Sequence, residues 1–445
     1  MNAEATRRYV AEFGRIEPEL AGAQVSWLRA ARRRALNRFD EAGFPSLRDE
    51  DWRYTPIKPI ENRGFRIAGP SSRMLKDAAL ARLQFQGLSC HELVFVNGYY
   101  ADSWSTLGQL PAGVQVQHLV AMLQEKPEAL SDHIHRYIEH PSSAFAALNA
   151  AFMTDGVYIR LPDQAVIEDP IHLLFISTGE NEALASYPRI FVAAGANTRL
   201  QLVESYCSVG ETHHLTNTLT EIVAEERACI EHYKIQQESI RNYHIGNMYI
   251  TQGQQSRVMS HSIALGAALA RNDIAVKLDA EGAAITLNGL YKVGGRQHVD
   301  HHTCIDHLKP HTQSEEFYKG VLEGHARAVF NGKVVVHAGA QKTEAKQTNQ
   351  NLLLSQDAEI DTKPELQIYA DDVKCSHGAT VGQLDENAVF YLRTRGIDKE
   401  TARGLLTYAF ADAVLSRISL APIRTRLERI LIRQLPKSER IKEFI

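Results

Sequence analysis

DIAVKLD at 273–279, AITLNGLYKV at 284–293 and HVDHHTCIDHLKPH at 298–311 are the stretches on which the fold turns. The first two alternate apolar and polar residues, the period of a strand with one face buried. Runs of the same texture precede them, VYIRL at 157–161, RLQLVES at 199–205 and RVMSHSI at 257–263, and KVVVH at 333–337 and LQIYA at 366–370 follow. From about 156 onward strand-like segments recur about every 10–15 residues, and no long helical pattern intervenes. A βαβ fold would need helical crossovers between parallel strands. Two architectures remain, an antiparallel sandwich or barrel and a parallel β-helix. About 230 residues of strands is long for one sandwich, whereas a solenoid adds coils without thickening its core. Gly195-Ala196-Asn197, Gly294-Gly295 and Asn331-Gly332 suit tight corners in either case. No strict repeat is visible.

The flanks read differently. Trp27, Leu28, Ala31 and Ala35 recur at helical spacing with Arg32, Arg33 and Arg34 between them, an amphipathic helix with a basic face. Pro45, Pro56 and Pro59 then break regular structure. LVFVNGYY at 93–100 reads as a strand entering an Asn-Gly turn. Helical spacing returns over 117–152, with Leu119, Met122, Leu123, Phe145, Leu148 and Phe152. Near the C-terminus Asp398 suits an N-cap. Ala402, Leu405, Leu406, Ala409, Phe410, Ala413 and Val414 would then share one helical face. A second helix around Pro422 carries Ile423, Leu427, Ile430 and Leu431, and residues 421–445 hold seven Lys/Arg against three Glu. The pair fits a cap on a solenoid end and a partner-docking module equally well. The expected organisation is a mainly helical region over 1–155, a β core over 156–385 and a helical region over 386–445.

Composition narrows the function. The 445 residues carry a formal charge of −4, which disfavours binding through phosphate neutralisation. Apolar runs such as Leu173-Leu174-Phe175-Ile176 fall far short of the ~20 residues of a spanning helix. The opening MNAEATRRYVAEFGR has no apolar signal core, so no secretory signal is expected. The cysteines at 90, 207, 229, 304 and 375 are odd in number and never closer than 22 residues. That argues against a disulfide framework, for a reducing cytosol, and against local C-x-x-C ligand pairs. Cys207 and Cys229 are separated by about one coil and are expected to stack. No P-loop, G-x-G-x-x-G, G-x-S-x-G or H-E-x-x-H is present; Gly332-Lys333 lacks both the upstream Gly and the following hydroxyl.

Two segments carry candidate chemistry. Within 298–311 stand His298, His301, His302, His307 and His311, with Asp300, Asp306 and Cys304. In a strand Asp300, His302 and Cys304 would share one face and His301 and Thr303 the other. The first face offers transition-metal ligands; it equally suits a polar ladder exposed on the strands or hydrogen-bonded between coils. In DDVKCSHGAT at 371–380, Cys375 and His377 share a face, and a neighbouring imidazole can promote thiolate formation and serve as a second ligand. The plain alternative is a buried structural Cys beside a turn histidine. An iron–sulfur cluster needs about four ligands, so this chain would have to share one with another chain.

These residues resemble the SufB/SufD family of the SUF iron–sulfur assembly machinery, on its SufD side. HVDHHTCIDH at 298–307, YKGVL at 318–322, AVFNGKVVV at 328–336 and AKQTNQNLLLS at 345–355 carry the likeness. So do KPELQIYADDVKCSHGATVGQLD at 363–385, FYLRTRGI at 390–397 and DEDWRYTPI at 49–57. SufB has an acidic segment where this chain has DDVKCSHGAT. The resemblance implies a right-handed parallel β-helix between helical regions. It also implies a non-catalytic scaffold subunit that pairs with SufB, each of the two binding a SufC ATPase. Sulfur would arrive from a cysteine desulfurase system, and the pair would share in bringing in iron. Cys375 and His377 fall on the family's Cys-x-His positions at the SufB interface, His377 carrying more of the function. A transient cluster or iron would sit there, shared with SufB. The helices from about 398 match the SufC-docking region, so ATP acts only through SufC. The family's main sulfur-accepting cysteines belong to SufB, so Cys207, Cys229 and Cys304 are not given that role. Reduced flavin is associated with such complexes, with no residue here marking its site, and homodimerisation without SufB stays open. From other classes, a β-helix carbohydrate-active enzyme would want two carboxylates across a cleft, which adjacent Asp371 and Asp372 serve poorly. An independent metal-binding protein would use the 298–311 histidines.

Overall fold

Strands that alternate apolar and polar residues must bury one face, and here they do so by winding into a two-sided coil. The computed structural model describes residues 3–69, 77–131, 143–179, 182–210 and 213–444. One sheet holds Arg199–Val209, Cys229–Gln237, Arg257–Ala264, Ala284–Val293, Gln313–Leu322, Glu344–Leu353 and Lys374–Gly382 in sequence. The facing sheet interleaves His214–Ala224, Tyr243–Gln252, Leu269–Leu278, His298–His307, Arg327–Val336 and Glu359–Ile368. All these neighbours pair in parallel, so the chain is a parallel β-solenoid and not a sandwich. Arg199 pairs with Cys229 and Cys229 with Arg257, steps of 30 and 28 residues. A coil is therefore longer than 22 residues, and Cys207 lies opposite Gln237, not Cys229. The expected stacking of Cys207 on Cys229 does not occur.

Parallel register places like positions above one another. Ile230, Val258 and Ile285 form one interior row of the main core. Outward neighbours such as Tyr233, Ile235 and Ile263 belong to a different cluster. At one corner of successive coils a residue takes the left-handed conformation: Asn197, Arg227, Gln255, Gly282, His311 and Lys342. The amides of Asn197, Arg227, Gln255 and His311 donate to Glu226, Gln254, Glu281 and Gln341 of the following coil. The corners at 195–197 and 294–295 are thus turns as read, Gly295 having φ 59°. Asn331-Gly332 is not. It lies inside the strand Arg327–Val336, where a Cβ on Gly332 would collide with the Gln347 side chain at 2.1 Å, so the glycine serves packing.

The flanking helices cover the two outer faces. Ser26–Ala42 and Ala144–Phe152 carry Phe39, Phe145 and Phe152 onto Tyr187, Leu215, Tyr243 and Ile245. The expected basic face of the first helix is incomplete, because Arg32 is buried and donates to the Met153 carbonyl at 2.9 Å. Of the helical reading over 117–152, residues 132–142 lie outside the described residues, and Gln115–His118 is a strand. His91–Val96 joins a sheet in parallel beside Ile171–Thr178 and turns at Asn97-Gly98. The C-terminal helices Lys399–Leu415 and Ala421–Arg433 press Tyr408, Ala411, Val414, Ile423 and Leu427 against Tyr233, Ile235, Ile263 and Leu290. They lie along the solenoid's flank, so the reading of this pair as an end cap is wrong. The expected stripe is also rotated. Thr407, Tyr408, Ala411 and Leu415 are buried, whereas Ala409 is exposed and Leu406 and Ala413 are half-buried. The first helix is held between the sheet and the later helices, with Ile441 against Gly404, so polar-capable Thr407 and Tyr408 go inside. No helix among the described residues is long and apolar enough to cross a membrane.

Candidate functional site

The last coil ends without a cover. Among the described residues Glu359–Ile368 pairs only with Arg327–Val336, and Lys374–Gly382 only with Glu344–Leu353. Two adjacent strand edges are thus left unpaired among them, an arrangement that invites another chain. The interior rows run out here too. Val336 is fully buried, but Ile368, its register partner in the next coil, is 41% exposed. Tyr369 is 63% and Val381 50% exposed.

Cys375 and His377 lie on the edge strand, opposite Ala345 and Gln347. They share a face, as the spacing requires, but their surroundings differ. Cys375 packs with Val334, Val336, Ala340, Ala345 and Ala370, and burial pushes its thiol pKa up. A hydrogen bond with the Ala345 backbone works the other way but does not outweigh burial. His377 is exposed and makes no hydrogen bond or ion pair among the described residues, so it does not brace the turn before Gly378. Beneath it the same row continues through Gln347 to Glu316, both buried, with Gln347 Nε2 donating to Glu316 Oε2.

Burial raises the Glu316 carboxyl from 4.5 to about 7. The folded chain thus holds this proton at pH values where the unfolded chain has lost it. The associated stability is complete below about 4.5 and is lost as pH rises through 7. Glu316→Gln is therefore expected to stabilise the chain by roughly 3 kcal/mol at pH 8 and to change little at pH 4.5. Thermal midpoints at the two pH values check this; equal shifts at both would contradict it.

The 298–311 residues divide among different environments. Asp300, His302 and Cys304 face outward from their strand, and His301 and Thr303 face the core. His301 stacks on Tyr291 and packs at a tilt against Tyr318, while His307 bonds to Thr312 and Ser314. His302 and Cys304 line a cleft of about 400 Å³ with Asp51, Trp52, Arg271 and Lys333. His302 Nε2 lies 3.0 Å from Asp300 Oδ1, and burial pushes the Cys304 thiol up to about 11. The five histidines do not converge on one ion. Among the described residues the group whose ligand atoms meet is Cys90, Glu92 and His172, which spacing in the sequence gave no reason to join. Asp371 and Asp372 lie in a turn, not a strand, and Asp372 pairs with Lys342, so they form no carboxylate pair across a cleft.

Comparison with known proteins gives a consistent picture. Residues 175–410 match the SUF system FeS cluster assembly, SufBD core domain, and residues 3–173 match the SufBD protein N-terminal region. An iron–sulfur cluster assembly SufBD family protein of Synechocystis is 34% identical over 418 residues, 92% of each chain. The iron–sulfur cluster assembly protein SufD of Escherichia coli is 30% identical, covering 84% of this chain and 86% of its own. The chloroplastic protein ABCI7 of Arabidopsis thaliana is also 30% identical, covering 86% and 80%.

Proposed function

This chain belongs to the SufBD family and serves iron–sulfur cluster assembly as a scaffold, and from that premise we propose how its two free surfaces divide the work. The open end of the solenoid joins a SufB-type partner, edge strand to edge strand, and buries Ile368, Tyr369 and Val381. That junction places His377, and Cys375 beside it, where the partner supplies the remaining ligands of a transient cluster or iron. A single observation carries this reading. The interior rows and both sheets stop at an uncovered coil, and the Cys-x-His pair stands on its edge.

The second surface lies on the C-terminal helices and docks a SufC-type ATPase. Leu406, Ala409 and Ala413 leave an apolar stripe facing away from the buried side, and Phe390 and Tyr391 on Glu386–Thr394 are 65% and 58% exposed. ATP then acts through that partner alone. Reduced flavin would join the assembled complex, with no residue of this chain assigned to it, and the free cysteines suit the cytosol.

Charged substitutions at each surface test the division. Tyr369→Lys with Val381→Lys should release the SufB-type partner from co-expressed complex and retain the ATPase. Leu406→Asp with Ala409→Asp should do the reverse. All four sites are exposed or half-buried, so the fold should survive. Mass measurement of the purified complexes reads the result, and a partner retained through both changes would overturn its assignment.

A further inference from the structure

Cys90, Glu92 and His172 come together on the outer face of the first coils, far along the chain from the Cys375 edge strand. Cys90 immediately precedes the strand His91–Val96, Glu92 is its second residue, and His172 lies opposite Glu92 in the parallel register. Their thiol, carboxylate and imidazole atoms all lie within 4.8 Å of one another. His172 is fully buried and Cys90 only half-buried, so the group has a closed floor and an open side.

We propose that Cys90, Glu92 and His172 form a three-ligand site for a divalent transition-metal ion of the zinc or ferrous type. Three observations support it. The donor set of one sulfur, one nitrogen and one oxygen suits such ions and leaves a fourth position open toward Cys90's exposed side. A dication with one thiolate and one carboxylate is electrically neutral, which limits the cost of holding it in a buried place. The ligands are also held from behind. His172 Nε2 lies 2.9 Å from Ser205 Oγ, and the second Glu92 oxygen accepts from Gln84 Nε2. His172 Nδ1 and Glu92 Oε1 are 2.8 Å apart, a hydrogen bond in the metal-free chain. Ligand atoms of a four-coordinate ion stand roughly 3.3–3.8 Å apart, so this pair opens slightly while the sulfur closes in. Binding releases the Cys90 thiol proton to solvent. The imidazole proton then resides on Nε2, where Ser205 Oγ accepts it.

The site also reaches the C-terminal helices. Phe85 packs against His172 at a tilt of 54° with ring centroids 5.1 Å apart, and Arg426 lies over Phe85 while donating to the Leu83 and Gln84 carbonyls.

Cobalt titration of the chelator-treated full-length chain tests the proposal. One equivalent of Co²⁺ should give thiolate-to-cobalt charge transfer and the strong visible bands of a four-coordinate ion. Cys90→Ser should abolish the charge-transfer band, and Ser205→Ala should weaken binding about 10–100-fold while keeping it. Cys375→Ser should change neither, which separates this site from the interface proposed above. No charge-transfer band in the unaltered chain, or the same band in Cys90→Ser, would overturn it. Because Ser205→Ala could loosen the fold, circular dichroism of each variant accompanies the titration; folded variants with unchanged affinity also count against the site.

Discussion

His377→Ala in the assembled complex should leave subunit composition and ATP hydrolysis unchanged and cut cluster formation by at least about tenfold. The structural side of that expectation is clear. His377 is exposed and bonds to nothing among the described residues. Surface substitutions of this kind change stability by about 0.5 kcal/mol or less. The functional side follows from its place on an edge strand that ends both core and sheet. Loss of a residue that only supports a ligand lowers metal affinity about 10–100-fold, so loss of a ligand should cost no less. Cys375→Ala separates the neighbours. Its thiol is packed among aliphatic side chains, so a cluster defect there accompanied by weaker assembly would mark a packing role. Iron and sulfide content after reconstitution, read beside native mass, decides the matter. A His377→Ala complex with normal composition and normal cluster yield would remove the imidazole from the mechanism.

The strands of the solenoid were legible in the sequence because period-2 alternation survives wherever one strand face meets the core and the other meets solvent or a helix; the choice of solenoid over sandwich rested on the length of the β region and the family likeness. Its coil length was not. Each coil carries two strands and their corners, and those corners use Arg227, His311 and Lys342 in the left-handed conformation as readily as Asn or Gly. The main-chain ladder between coils holds these residues there, so no composition signal marks them. Asn331-Gly332 misled for the converse reason: a turn-like pair was required by close packing inside a strand. The facing of Asp300, His302 and Cys304 followed from alternation alone. The meeting of Cys90 with His172 did not, since it depends on which strands become neighbours. The helical stripe at 402–414 was rotated because that helix buries more than one side, and hydrophobicity alone does not choose among them.

Asp300→Ala should destabilise the chain by about 3–5 kcal/mol and loosen residues 49–57 first. Thr55 Oγ1 donates to Asp300 Oδ2 at 2.5 Å, Arg271 Nη1 donates to it at 2.6 Å, and His302 lies 3.0 Å from Oδ1. Arg271 also donates to the Asp51 carbonyl at 2.7 Å and lies 3.8 Å over the Trp52 ring. One buried carboxylate thus fastens the DEDWRYTPI segment to the solenoid face, which joins two of the stretches that carry the family likeness. Arg271 keeps Asp273 in the variant, which places the loss toward the lower end of the range. The pH dependence has a definite sign. Burial alone would raise the Asp300 carboxyl, but Arg271 and His302 hold it far below the usual carboxylate range. Its contribution is therefore complete above the unfolded value of about 3.9 and is lost only as pH falls below that. Between pH 5 and 7 Asp300 stays ionised, so its own titration adds no pH dependence there, unlike that of Glu316, whose effect grows over this range. Hydrogen exchange is the sharper readout, because a chain of 445 residues need not unfold in one step. Protection lost at 49–57 in Asp300→Ala, with the coils beyond Glu344 unchanged, is the expected pattern. Unchanged protection at 49–57 would mean that Trp52 and its aromatic neighbours hold the segment without the ion pair.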